Sequence, residues 1–128
     1  MTSKAKGPFT VKLVPLEPGA GGIGRLTIDK VFEGDLQATS VGQMMAYQNA
    51  GKTSGGYVAM ELVTGTLHGR KGSFMLQHSA TMNQGAPDMR IIVIPGSGTG
   101  ELANLSGNLA IEVAKDGRHS YVLDSTFA

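Results

Sequence analysis

The sequence predicts an all-β protein, an eight-stranded antiparallel up-and-down β-barrel, and three observations predict it. Short runs alternate apolar and polar residues with the period of two that turns one face of a strand toward a core. Nineteen glycines punctuate those runs in 128 residues, the composition of many short strands joined by tight turns. No stretch carries an apolar stripe at helical spacing, and "TGELANL" has room for one helical turn at most. Eight strands in near-sequential order suit a small closed barrel, which removes the sheet edges that invite aggregation; a flat sandwich is the alternative.

The elements follow in order. After Pro8, Phe9, Val11 and Leu13 alternate with Thr10 and Lys12 in a first strand that Pro15 ends. "EPGAGG" is a loop. Gly24 to Glu33 and Leu36 to Tyr47 form a hairpin about Gly34 and Asp35, which places Asp29 opposite Ser40 in a structural hydrogen bond. "QNAGKTSGG" is the next loop. Tyr57 to His68 and Ser73 to Asn83 flank "GRKG", with Arg70 and Lys71 as a two-residue turn. A loop at Gln84 to Pro87 leads to the strand Asp88 to Ile94. The last hairpin turns about Asp116 and Gly117, a strong short-range hairpin signal.

At this length one domain spanning residues 1–128 is expected. A chain of this size buries roughly two thirds of its unfolded surface and needs no covalent staple. The absence of cysteine removes disulfides, thiolate metal sites and cysteine nucleophiles, and fits a reducing compartment. No apolar run has the length of a membrane span and the N-terminus lacks a signal-peptide core, so a cytoplasmic protein with no membrane partner is expected. Eleven basic and ten acidic residues give a net charge of +1, and aromatics make up 5%. Neither a basic patch nor stacking aromatics point to nucleic acid. His68 and His119 sit beside turns with no matching second ligand, so no metal or cofactor is expected.

The stretch "RIIVIPGSGTGELANLSG" has the look of a strand feeding a phosphate loop. Its glycines run G-x-G-x-G, however, where a dinucleotide fingerprint needs G-x-G-x-x-G opening a helix, and a P-loop needs Gly-Lys-Ser or Gly-Lys-Thr. Glu101 would also set a negative charge where the phosphate belongs. The segment reads as a turn-rich crossing between strands.

Four motifs in order carry a family resemblance: "IDKVFEGDLQATSVG", "YVAMELVTGTLHGRKGSFMLQHSATM", "GSGTGELANLSG" and "DGRHSYVLDSTF". With them, nearly the whole chain resembles a bacterial family defined only as a domain of unknown function, whose members are similar in fold to allene oxide cyclases, with relatives among dirigent proteins and a lipocalin-like architecture. The resemblance implies an eight-stranded barrel and, for the cyclases, an apolar interior that confines and folds a reactive substrate. No catalytic motif of the cyclases aligns here.

Strand register gives a separate route to a site. With Arg70 and Lys71 as the turn, Val63 faces His78 and Glu61 faces Ala80, so Glu61 and His78 are diagonal neighbours roughly 7–8 Å apart at the backbone on an otherwise apolar face. They are the candidate catalytic residues, an acid/base pair in which burial raises the carboxyl; the alternative is that both are satisfied internally and only fix the register. Carrying the register onward pairs Met82 with Met89 and Ala80 with Ile91. The candidate ligand-binding residues are then Tyr57, Leu76, Met82, Met89, Ile91 and Val93 along the inner wall, with Tyr47 near a barrel mouth. Small inward residues, Ala59, Gly65 and Ala80, argue for unfilled space.

Three functions compete: a barrel that binds a small apolar molecule, a cyclase or isomerase acting on a fatty-acid- or polyketide-derived substrate, and a filled structural barrel. Outward apolar residues, Val58, Met60 and Leu62 with Ile92 and Ile94, predict a homodimer or homotrimer.

Overall fold

A computed structural model describes residues 2–127. The strands are β1 (Ser3–Pro15), β2 (Gly24–Phe32), β3 (Leu36–Gln48), β4 (Gly55–Leu67), β5 (Arg70–Asn83), β6 (Ala86–Val93), β7 (Thr99–Gly100), β8 (Leu105–Val113) and β9 (His119–Phe127). Eight of them close an antiparallel barrel in the order β1–β2–β3–β4–β5–β6–β8–β9, with β9 returning to β1. The two-residue β7 lies in the glycine-rich crossing and pairs with Gly72 and Ser73 of β5. A single 3-10 turn at Ala20–Gly22 is the only helical element described, so no helix among the described residues is long and apolar enough to cross a membrane.

β1 starts well before the Phe9 expected from the sequence, because Pro8 does not interrupt it. The Pro8 carbonyl accepts the Glu33 N–H at 3.0 Å, so this residue's polar edge faces the β2–β3 turn and not β9. The missing proline N–H is one that no neighbouring strand needs. β1 therefore pairs with β9 over Ser3 to Phe9 and with β2 from Phe9 onward.

Three registers differ from the sequence reading. The β4–β5 turn consists of His68 and Gly69, with φ of 48° and 80°, and Arg70 is already a strand residue opposite Leu67. A two-residue hairpin turn of this hand needs positive φ at both central positions, which His-Gly supplies more readily than Arg-Lys. The β5–β6 turn repeats the device with Gln84 and Gly85, at 47° and 84°. It pairs Met82 with Pro87, Ala80 with Met89 and His78 with Ile91. Both shifts are even, so each side chain keeps its face.

The β2–β3 register is off by one, and there every face changes. Its first pair is Phe32 with Ala38, which sets Lys30 opposite Ser40 and Asp29, exposed, opposite Val41. The cause is long-range. Asp35 donates its N–H to the Lys6 carbonyl at 3.1 Å and its carboxylate accepts the Lys6 N–H at 2.9 Å, so the turn is stitched over β1 and takes a longer path than two residues allow. A one-residue slip moves a whole strand's side chains across the sheet.

Apolar side chains fill the barrel end nearest the His68–Gly69 turn. Leu36, Val63, Leu67, Phe74 and Tyr121 are buried there, and Leu102 of the crossing reaches into the same cluster. The glycine stretch is thus part of the plug at that end.

Candidate functional site

Above this packed end the barrel changes chemistry. Lys30, Glu61 and His78 project inward from β2, β4 and β5, only 7%, 0% and 3% exposed. Glu61 must pass β3 to reach Lys30, and the residue facing it there is Gly42. A Cβ at position 42 would stand 2.7 Å from the Glu61 Cβ, so only glycine leaves the path open. The Lys30 ammonium then lies 3.2 Å from Glu61 Oε1 and 3.1 Å from Oε2, over the rings of Phe9 and Phe32 at 5.1 and 5.8 Å. A cation and an anion removed from water this completely persist only as a pair.

His78 continues the chain. Its Nε2 is 3.7 Å from Glu61 Oε2, and its Nδ1 is 3.4 Å from the Tyr57 hydroxyl. In the observed register His78 is opposite Ala59, with Glu61 one diagonal step away. The expected register puts Glu61 one step to the other side of His78's partner, so the two residues meet under either. Burial works to raise the Glu61 carboxyl, but the His78 ring and the Lys30 charge outweigh it and hold the group below its ordinary value. This corrects the expected upward shift: the His78 ring, and after it Lys30, which the sequence reading did not place in the barrel, hold the carboxyl down. Tyr57 moves the other way: burial, then the negative charge of Glu61, raises its phenol, so it stays protonated.

A cavity of about 510 Å³ opens at the barrel end opposite the plug. Met44 and Ala46 of β3, Tyr57 of β4, Ala80 and Met82 of β5 and Met89 of β6 are part of its wall, with Tyr47 at the rim. Of the residues expected to bind a ligand, Tyr57, Met82, Met89 and Tyr47 line this cavity. Leu76, Ile91 and Val93 point inward but are buried in the packed core below the cavity and form no part of its wall. Glu61 and His78 also lie beneath it, so the wall meets the polar chain through Tyr57 alone. Ala80 contributes open space as expected, whereas Gly65 is pressed against Ala38 in the filled half.

The sequence reading missed Lys30, Gly42, Met44 and Ala46. For Lys30 a signal existed: it alternates with Ile28 and Phe32, two apolar residues on one face of β2. Among the described residues, no group of three or more His, Asp or Glu side chains converges as a metal site would.

Residues 5–124 match the family described as "Protein of unknown function (DUF3224)". The chain belongs to the DUF3224 family. Its fold is similar to the crystal structure, at 1.84 Å resolution, of a DUF3224 protein of unknown function from Shewanella oneidensis MR-1. That protein is 42% identical, with a TM-score of 0.94, and the match covers 100% of this chain and 98% of the other. No curated protein matches the sequence. Neither match is to an allene oxide cyclase.

Proposed function

We propose that this DUF3224 protein binds a small, mostly apolar molecule in the mouth of its barrel. The cavity walled by Met44, Ala46, Ala80, Met82 and Met89 carries this reading. Its volume falls within the range of ligand sites, roughly 300–1,000 Å³, and an apolar wall with few polar groups is their usual make-up. Methionine side chains adapt to irregular apolar shapes. The test is a thermal-shift panel of fatty acids, oxylipins and polyketide-like compounds on the wild type and on Ala46→Leu, which fills the cavity from one wall. A binder at a hundredfold its Kd stabilises the folded state by about 2.7 kcal/mol. That gain should vanish in Ala46→Leu while the unliganded melting temperature holds. If no compound stabilises the wild type, the filled structural barrel is the better account.

A catalytic version, the cyclase or isomerase that a likeness to allene oxide cyclases would imply, is supported by the chain from Tyr57 through His78 and Glu61. There Tyr57 touches the substrate, His78 exchanges its proton, and Glu61 with Lys30 positions the ring. Turnover lost in His78→Ala with binding kept would favour it. Self-association as a dimer or trimer belongs to the same proposal. Val41, Met45, Val58 and Met60 are exposed on the outer face of β3 and β4, while Ile92 and Ile94 are half-buried, and sedimentation velocity tests it.

A further inference from the structure

The polar chain under the cavity has a direction, and the direction selects the chemistry of what binds. Protons can be followed from its deep end. Lys30 donates to the Glu61 carboxylate at 3.2 Å, and a carboxylate only accepts. The His78 nitrogen nearest that carboxylate is Nε2, at 3.7 Å from Oε2. We assign the neutral ring the tautomer with its proton on Nε2, which points a positive N–H dipole at the anion on a side of the ring with no other partner. Nδ1 is then left with a lone pair. In that tautomer its partner at 3.4 Å, the Tyr57 hydroxyl, donates inward.

A phenol has one proton, and here it is committed to His78. Tyr57 stays protonated, because burial and the Glu61 charge raise it, but toward the cavity its oxygen has only lone pairs to offer. The remaining polar side chains of the wall, Tyr47, Gln48, Thr81 and Asp88, take no part in this chain. A ligand that fills the cavity and reaches Tyr57 thus meets an acceptor backed by a fixed donor sequence.

We propose that the ligand is an apolar molecule carrying a hydrogen-bond donor, a hydroxyl or an amino group, which the Tyr57 oxygen accepts. This rests on the reading that the cavity binds a ligand. A carbonyl compound of the same shape sets lone pair against lone pair at that point, leaving both oxygens unpaired in an apolar setting.

Menthol and menthone share one carbon skeleton and differ in a hydroxyl against a carbonyl. Titrating each into isotope-labelled wild type and Tyr57→Phe, and following the amide shifts of Ala46, Ala80 and Met82, reads the ratio of their Kd values. Menthol is expected to bind the wild type about tenfold more tightly than menthone, the size of effect that one unpaired buried polar group produces. Tyr57→Phe should bring the two within about twofold, since it removes only the hydroxyl. Equal binding to the wild type, a preference for menthone, or a menthol preference that survives in Tyr57→Phe overturns the donor requirement and leaves cavity binding standing. No shift with either compound in the wild type overturns both.

Discussion

At the end of the barrel near His68 and Gly69, Leu36, Val63, Leu67 and Phe74 are sealed from water and Leu102 closes the cluster from outside the barrel. At the other end the same strands carry Met44, Ala46, Tyr57 and Met82, which leave a cavity of about 510 Å³. The alternation of faces is the same in both halves, and only side-chain volume and polarity change. Between them lies a layer in which the Lys30 and Glu61 charges pair within the barrel, with the His78 ring beside them. The contrast teaches that one pattern of strands can serve two tasks, with packing in the plug holding the barrel together so that the mouth is free to stay empty.

Truncation on each side of that layer probes the contrast most strongly. Phe74→Ala should lower the free energy of unfolding by about 4 kcal/mol, as a fully buried aromatic leaves a cavity in a close-packed core. Met82→Ala at the exposed rim should lower it by less than about 1 kcal/mol. Urea unfolding of the two variants measures both, and equal losses would mean that the mouth is packed as tightly as the plug.

The dividing layer itself comes next. Lys30→Met leaves Glu61 charged and unpaired in the barrel and should destabilise by about 3 kcal/mol. The double variant Lys30→Met/Glu61→Leu removes both charges and should regain most of that loss. If Lys30→Met alone is neutral in the same unfolding measurement, the pair does not hold the layer.

Acid gives the smallest effect. The Glu61 carboxyl lies lower in the folded protein than its ordinary value near 4.5, so its ionised form favours folding. That contribution is fully present above the ordinary value and is lost as pH falls from there through the lower folded value. Unfolding midpoints taken across this window should fall for the wild type, with a shallower slope for Glu61→Gln. Parallel slopes would show that other carboxylates carry the acid sensitivity.

Much of this was legible in the residues, because what period-two alternation encodes is which face a side chain takes. Glu61 and His78 were found on one inner face despite a register set by the wrong turn, since an even shift keeps faces and the pair is diagonal either way. Alternation with Ile28 and Phe32 signals the inner face of Lys30, but its pairing with Ser40 stays hidden, because the path of the β2–β3 turn is set by hydrogen bonds to Lys6 and Pro8 of another strand. Hairpin chemistry alone contains nothing of that. The depth of Leu76, Ile91 and Val93 was hidden for a related reason: a strand's pattern says in or out, but how far up the barrel a residue sits depends on the stagger of all eight strands.

The seam between β1 and β9 has a consequence for how the protein is made. It joins Ser3 with Ser125 and runs to Phe9 with His119, so the first half of β1 has no ladder partner until the ribosome has finished β9. Pairing across so much of the chain is slow, since its ends must be brought together before any contact rewards them. Throughout that wait the half-strand is an open edge exposed to other nascent chains. Lys4 and Lys6 lie on that half-strand, charges of the kind that deter a foreign strand from docking.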